Sequence, residues 1–306
     1  MHVGLQIIRF DWDGDIPSRL HDIAATADDA GFYSLWVMDH FFQMGGIFGE
    51  PDAPMLEGYS TIAYLAALTR QVKIGTLVTG NFYRPPGLLA KMVTTLDVLS
   101  GGRTYLGIGA GWYEQESLGL GIPFPSMTER FERLEETLQI VHQMWHGDTS
   151  PFEGKFHHLA DPINQPQPIS QPHPPILIGG EGERKTLRLI AKYGDACNFY
   201  FGATPTRWGE GHTQRFENRR AHLTHKLAVL RQQCDEQERD YNDIEKTVLG
   251  TIQLDHDSMT PTAVVDLCGE LADIGFAHVI FNMPDTHEMT PLEIFGEAII
   301  PKVAKL

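Results

Sequence analysis

Short apolar runs alternate with longer amphipathic stretches along the whole chain. The runs fall near residues 3–8, 33–37, 72–79, 104–109, 175–178, 195–201, 247–254 and 277–282. Runs this short, apolar without strict alternation, read as strands covered on both faces, as in a parallel sheet. A helical pattern follows each of them. Leu20, Ile23, Ala24, Ala27 and Ala30 share one face of the first helix, and Phe131, Leu134, Leu138, Val141 and Trp145 share one face of the fourth. Ser126 and Glu129 form a capping box that opens the fourth, and Thr260-Pro261 opens the seventh with a cap followed by proline.

Eight strand–helix units predict an α/β fold, a closed (β/α)8 TIM barrel built from residues 1–306 as one domain. An open doubly wound sheet is the alternative. It usually carries a glycine-rich turn after its first strand, and here Arg9-Phe10-Asp11-Trp12 stands in that place. Residues 41–58 form a long loop after the second strand. Residues 148–175 hold seven prolines yet keep Phe152, Phe156, Leu159, Ile163 and Ile169, so they read as an ordered insertion over one end of the barrel. The strongly polar stretch 211–243 predicts a solvent-facing helix.

Composition narrows the partners. A formal charge of −16 repels nucleic acid and anionic lipid, which leaves a small molecule as the expected partner. Cys197, Cys234 and Cys268 are scattered and odd in number, so neither a disulfide framework nor a zinc site is expected, and the setting reads as reducing cytoplasm. The first residues have no basic segment followed by a long apolar one, and no window is long and apolar enough to span a membrane.

A barrel enzyme places its chemistry at the C-terminal ends of the strands. Asp39-His40 follows the second strand: the histidine can move a proton and the carboxylate can orient it, although a capping Asp beside a surface His has the same sequence. After the third strand come Thr76, Leu77 and Thr79, suited to a ring carbonyl or hydroxyl. After the fourth comes Gly107-Ile108-Gly109-Ala110-Gly111-Trp112, which fails the dinucleotide pattern because Trp112 replaces the last glycine. Such glycines let a flat ligand approach the backbone. Trp112 and Tyr113 can line a pocket, while Glu114, Gln115 and Glu116 are polar candidates. After the fifth, Gly179-Gly180-Glu181-Gly182 reads as the opening of a helix, where free N–H groups hold phosphate, although Glu181 and Glu183 oppose an anion. His142 with His146, and His157-His158, lack the ligand set of a metal site, so no metal is expected. The absence of a GxSxG run argues against a hydrolase.

Several runs together resemble the bacterial-luciferase-like monooxygenase superfamily. They are Ala30–Phe41 (AGFYSLWVMDHF), Leu96–Arg103 (LDVLSGGR), Leu106–Trp112 (LGIGAGW), Leu118–Phe124 (LGLGIPF), Pro174–Gly180 (PPILIGG) and Gly296–Pro301 (GEAIIP). More narrowly, the chain is similar to the branch of coenzyme F420-dependent oxidoreductases. The resemblance implies a homodimeric barrel with F420, or FMN in its place, in the mouth. It also implies a non-proline cis peptide near Thr76-Leu77. Matched position by position, it implies a catalytic Asp39–His40 pair with Asp39 also beside the cofactor. Ring contacts fall at Thr76, Leu77 and Thr79, a cofactor wall at Gly107, Gly109 and Gln115, and phosphate-side contacts at Gly179 and Gly180. Phe41, Met44, Trp112 and Tyr113 would line the substrate pocket. Met44 stands where the family's sugar-phosphate dehydrogenases have Trp, and Trp112 where they have Glu, which argues against a sugar-6-phosphate substrate. The implied activity is hydride transfer between F420 and a small organic substrate. An FMN-dependent monooxygenase and a non-catalytic binder of either cofactor are the alternatives.

Overall fold

The computed structural model describes residues 1–44, 48–203, 216–254 and 258–306. Its parallel sheet contains β1 (His2–Ile7), β2 (Ser34–Val37), β3 (Lys73–Thr76), β4 (Thr79–Gly80) and β5 (Leu106–Gly109). A small hairpin of β6 (Phe152–Glu153) and β7 (His158–Leu159) intervenes. The sheet then resumes with β8 (Ile176–Gly179), β9 (Ala196–Ala203), β10 (Glu245–Thr251) and β11 (His278–Asn282). β3 and β4 are two pieces of one barrel strand on either side of a cis Leu77–Val78 bond, so the nine pieces fill the eight expected places. The cis bond lies one residue beyond its expected position.

Neighbours run β3-β2-β1-β11-β10-β9-β8-β5-β4. The ring closes because both pieces of the third strand pair with the β5 region. The Ile74 amide donates to the Arg103 carbonyl and the Tyr105 amide to the Ile74 carbonyl, each at 2.8 Å, while Thr79 and Gly80 lie in register with Ile108 and Gly109. The sheet is therefore a (β/α)8 barrel, as the eight apolar runs predict.

The helices before β11 are α1 (Ile16–Asp29), α2 (Gly58–Leu68), α3 (Pro86–Ser100), α4 (Glu114–Gly119), α5 (Met127–Trp145), α6 (Thr186–Tyr193), α7 (Arg219–Glu236) and α8 (Pro261–Ile274), and short helices Thr290–Ile294 and Ile300–Val303 follow it. Ser126 accepts from the Glu129 amide at 3.3 Å and Thr260 from the Ala263 amide at 3.2 Å, so both caps form, but the Glu129 carboxylate takes Arg133 at 2.8 Å and does not return to Ser126 to complete the box. Residues 211–215 of the polar stretch lie outside the described residues, as do 45–47 of the long loop. The rest of the polar stretch forms α7, which is not wholly solvent-facing. Leu223, Leu227, Leu230 and Cys234 are buried at helical spacing, a stripe too narrow to stand out in a polar sequence.

The barrel lumen is packed by Trp36, Leu77, Tyr105, Leu177 and Ile280, and a larger apolar layer separates the strands from the helices. The N-terminal end is closed by polar side chains. Trp36 Nε1 donates to Ser34 Oγ at 2.7 Å, and Ser34 Oγ lies 2.8 Å from His278 Nε2. His278 Nδ1 lies 3.0 Å from Glu245, which also accepts from the Tyr105 hydroxyl at 3.0 Å. Burial pushes the Glu245 carboxyl up, but these two partners prevail and hold it below its ordinary value. An ionised carboxylate only accepts, so His278 Nδ1–H donates to it.

The proline-rich insertion does not cap an end of the barrel. It runs along the outside of α3 and α5, with Leu159 against Gly87 and Gln167 donating to the Met144 carbonyl at 3.1 Å. Buried Asp97 on α3 fixes it by accepting from the Ile169 and Ser170 amides, at 2.8 and 2.9 Å, and from the Ser170 hydroxyl at 2.6 Å. Asp97→Ala strands these donors and should cost about 2–4 kcal/mol. Urea unfolding measures it, and a loss under about 0.5 kcal/mol would show that the insertion needs no such clamp.

Candidate active site

At the C-terminal ends of the strands lies a cavity of about 450 Å³. One wall is bare backbone. Gly109, Ala110 and Gly111 after β5, and Gly179 and Gly180 after β8, border it, and Val78 projects between them. A Cβ added to Gly109 or Gly179 would come within 3.0 Å of Val78, and one on Gly107 would fall 1.8 Å from the Thr76 carbonyl oxygen. The glycines therefore let β5, β8 and the third strand approach more closely than side chains allow.

His40 also lines the cavity, beside Trp112. Its Nδ1 lies 2.7 Å from Glu116 Oε1. The same carboxylate accepts from the Phe41 amide at 2.7 Å, the Phe42 amide at 3.3 Å and the Tyr83 hydroxyl at 2.5 Å. Burial raises the Glu116 carboxyl, yet the donors, His40 foremost, outweigh it and hold it below its ordinary value. Burial also drives the Tyr83 hydroxyl upward, so Tyr83 remains a donor. An ionised Glu116 requires Nδ1–H on His40, which leaves Nε2 for the cavity. The Glu116 side chain has no exposed surface, whereas that of His40 keeps 12%. The carboxylate is sealed and the imidazole is reachable.

A depressed carboxyl links this site to stability. The stabilisation by Glu116 is present above its ordinary value of 4.5 and is lost as pH falls through the lower folded-state value. Glu116→Gln should flatten that acid-side loss. Urea midpoints recorded from pH 7 down to about pH 3 test this, and parallel curves for both proteins would contradict it.

Asp39 is turned away from His40. Its carboxylate takes two bonds from Arg84, at 2.6 and 3.0 Å, and Arg84 also holds Glu57, the cap of α2. Burial pushes the Asp39 carboxyl up and Arg84 opposes it. Below the cavity, Thr79 Oγ1 lies 2.9 Å from the Tyr59 hydroxyl and 2.8 Å from Thr76 Oγ1. The Trp112 indole meets the His40 ring edge-on at 5.6 Å and stacks on Tyr113 at 5.2 Å.

The family model described as luciferase-like monooxygenase matches residues 11–260. The chain belongs to the luciferase-like monooxygenase family. Two curated relatives are called F420-dependent glucose-6-phosphate dehydrogenase. The one from Kineococcus radiotolerans is 33% identical over 171 residues, 55% of this chain and 49% of that enzyme, so the match spans about half of its length. The one from Microbacterium testaceum is 26% identical over 327 residues, 94% of each chain. Among solved structures, an F420-dependent secondary alcohol dehydrogenase in complex with an F420-acetone adduct has the same fold. Its TM-score is 0.80 at 18% identity, with 99% of this chain and 98% of that one covered.

Within this luciferase-like barrel the anticipated residues separate. His40, Leu77, Gly109, Trp112, Gly179 and Gly180 line the cavity. Asp39, Thr76, Thr79 and Gly107 lie behind it as supports. Gln115 is exposed and only meets the Tyr113 hydroxyl at 3.3 Å, because the inward face of α4 carries Glu116 and Ser117. Met44 and Tyr113 pack with Ile8 and Met38 in a side cluster, and Phe41 packs edge-on against Tyr83. None of these three borders the cavity. Gly179 and Gly180 do not open a helix either; α6 starts at Thr186, after a turn. Glu181 in that turn accepts from the Tyr200 amide at 2.6 Å and lies 3.0 Å from His222 Nε2. Reasoning from sequence passed over Val78, Phe131, Asn198, Tyr200 and Leu249, which also form the walls. It named Glu116 without singling it out. The recurrence of Tyr113, Glu116 and Ser117 at helical spacing was the available signal.

Proposed function

We propose that this chain is an F420-dependent oxidoreductase that exchanges a hydride between the deazaflavin and a small organic substrate, with His40 as the proton carrier. The observation that carries this reading is a sealed Glu116 holding His40 at the rim of a glycine-walled cavity. The wall suits a flat ring, since Gly109 and Gly179 let Val78 take the space their own side chains would fill, and Val78 supplies an apolar face. A deazaflavin bound there would supply the two-electron redox chemistry. The relatives whose names carry F420 dependence support that choice of cofactor.

The chain itself does the positioning. Glu116 keeps Nδ1 of His40 protonated, so Nε2 takes a proton from a hydroxyl or returns one to a carbonyl oxygen. Tyr83 and the two amides keep Glu116 ionised through the exchange. Asp39 acts one step further back. Clamped by Arg84, it fixes the backbone from which His40 projects, and so serves as a positioning residue. Trp112 screens one side of the imidazole.

The family's description as a monooxygenase favours one second reading, in which reduced FMN and oxygen do the chemistry. Titration separates the two. F420 should bind with micromolar affinity, read from its fluorescence, and more tightly than FMN. Tighter binding of FMN together with oxygen consumption would favour the second reading, and binding of neither would sink both.

A further inference from the structure

Asn198 lines the same cavity as His40 from across the barrel. β2, which leads to His40, and β9, which carries Asn198, stand four places apart in a ring of eight strands. Period two sets the direction of the side chain. Ala196 packs in the lumen and Cys197 in the outer layer, so Asn198 turns inward again, one layer nearer the mouth. Only 7% of the residue is exposed. Its amide is fixed in one orientation. The Thr247 hydroxyl gives its single hydrogen to the Cys197 carbonyl, at 2.8 Å. Thr247 Oγ1 can therefore only accept from Asn198, also at 2.8 Å, and the NH2 group must point there. Oδ1 is left over, with no partner among the described residues. The Oδ1 atoms of Asn81 and Asn282 lack partners as well, but those two are sealed in the interior. That of Asn198 is not sealed, and the cavity is the space beside it.

We infer that Asn198 is a specificity-determining acceptor: the molecule filling the cavity turns a neutral O–H or N–H donor toward it, on the side away from His40. A nearly buried carbonyl rewards a donor and penalises a group that can only accept. The donor has two sources. One is the cofactor, through its imide N–H or a hydroxyl of its chain, and this source rests on the proposed function. The other is a substrate carrying a second hydroxyl besides the oxygen that meets His40.

Titrations of the unaltered protein, Asn198→Leu and Thr247→Val test this. The probes are F420, read by fluorescence, and 1-phenyl-1,2-ethanediol against its ether 2-methoxy-1-phenylethanol, read by calorimetry with and without F420. The ether keeps the second oxygen and loses its hydrogen. If the cofactor supplies the donor, Asn198→Leu should weaken F420 about tenfold, the scale of one neutral hydrogen bond left unmade. If a substrate supplies it, the unaltered protein should bind the diol about tenfold more tightly than the ether, and Asn198→Leu should bind both alike. Thr247→Val frees the amide to turn. It should weaken F420 about threefold in the first case and narrow the diol–ether gap to about threefold in the second, and it serves where Asn198→Leu does not fold. F420 affinity unchanged in the variants, together with equal binding of diol and ether by the unaltered protein, overturns the inference. So does a diol–ether gap that survives Asn198→Leu. If F420 binds and neither comparison moves, the role of Asn198 alone fails. If F420 does not bind, the proposed function fails and the diol–ether comparison on the protein alone still decides; binding of neither diol nor ether then overturns this inference too.

Discussion

His40→Ala is expected to lower turnover about 10²–10⁴-fold, the usual range for removing a positioned acid–base group, while F420 affinity stays nearly unchanged. The imidazole borders the cavity and Glu116 holds its Nδ1 at 2.7 Å, so the ring is presented in one tautomer with Nε2 available. Glu116→Gln should also lower turnover, by about 10²-fold or more, for a different reason. The glutamine amide can offer N–H to Nδ1 and so favour the tautomer with hydrogen on Nε2, the wrong atom for taking a proton. The pH profile of kcat/KM distinguishes them. The limb assigned to His40 should vanish in His40→Ala and persist, displaced, in Glu116→Gln. Turnover retained in His40→Ala would remove histidine from the proton path.

Gly107→Ala should be among the most damaging single-methyl additions in the chain. The new Cβ would lie 1.8 Å from the Thr76 carbonyl oxygen, far inside contact distance, and both groups belong to the barrel wall. Relief requires the third strand to move away from β5, at the junction that closes the barrel. Overpacking of this kind costs about 3 kcal/mol or more, which lowers the melting temperature of a domain this large by roughly 6–12 °C. Gly121→Ala is a useful contrast, because no atom lies within 4 Å of the added Cβ there, although its φ of +72° carries its own strain. A melting temperature for Gly107→Ala within about 2 °C of the unaltered protein would contradict the packing argument.

The barrel was legible in the sequence because its signal is repeated and long-ranged. Eight apolar runs, each trailed by a helical face, leave little else to build. The site was legible only in part, and the misses follow from side-chain direction. Asp39 and His40 are adjacent along the chain, and neighbouring residues leaving a strand point to opposite sides. One reaches Arg84 and the other the cavity, so the carboxylate serving His40 had to come from elsewhere. It comes 76 positions later, from a helix of six residues. Among the consecutive Glu114, Gln115 and Glu116, composition cannot say which faces inward; only the rotation of α4 relative to Tyr113 decides. Met44 and Tyr113 carry suitable chemistry for a pocket wall and were absorbed by packing instead.

Two histidine–glutamate pairs thus stand at opposite ends of one barrel. The lower pair even has a serine on its far side: Ser34 Oγ, His278 and Glu245 follow one another at 2.8 and 3.0 Å, the order that arms a nucleophile in hydrolases. Ser34 and His278 have no exposed surface, and an indole N–H already occupies the serine oxygen, so there is nothing for it to attack. Reactivity in this chain is therefore a matter of address rather than of ingredients. The same imidazole–carboxylate couple is a stopper where water is shut out and, where a door is left open, the proton carrier proposed above.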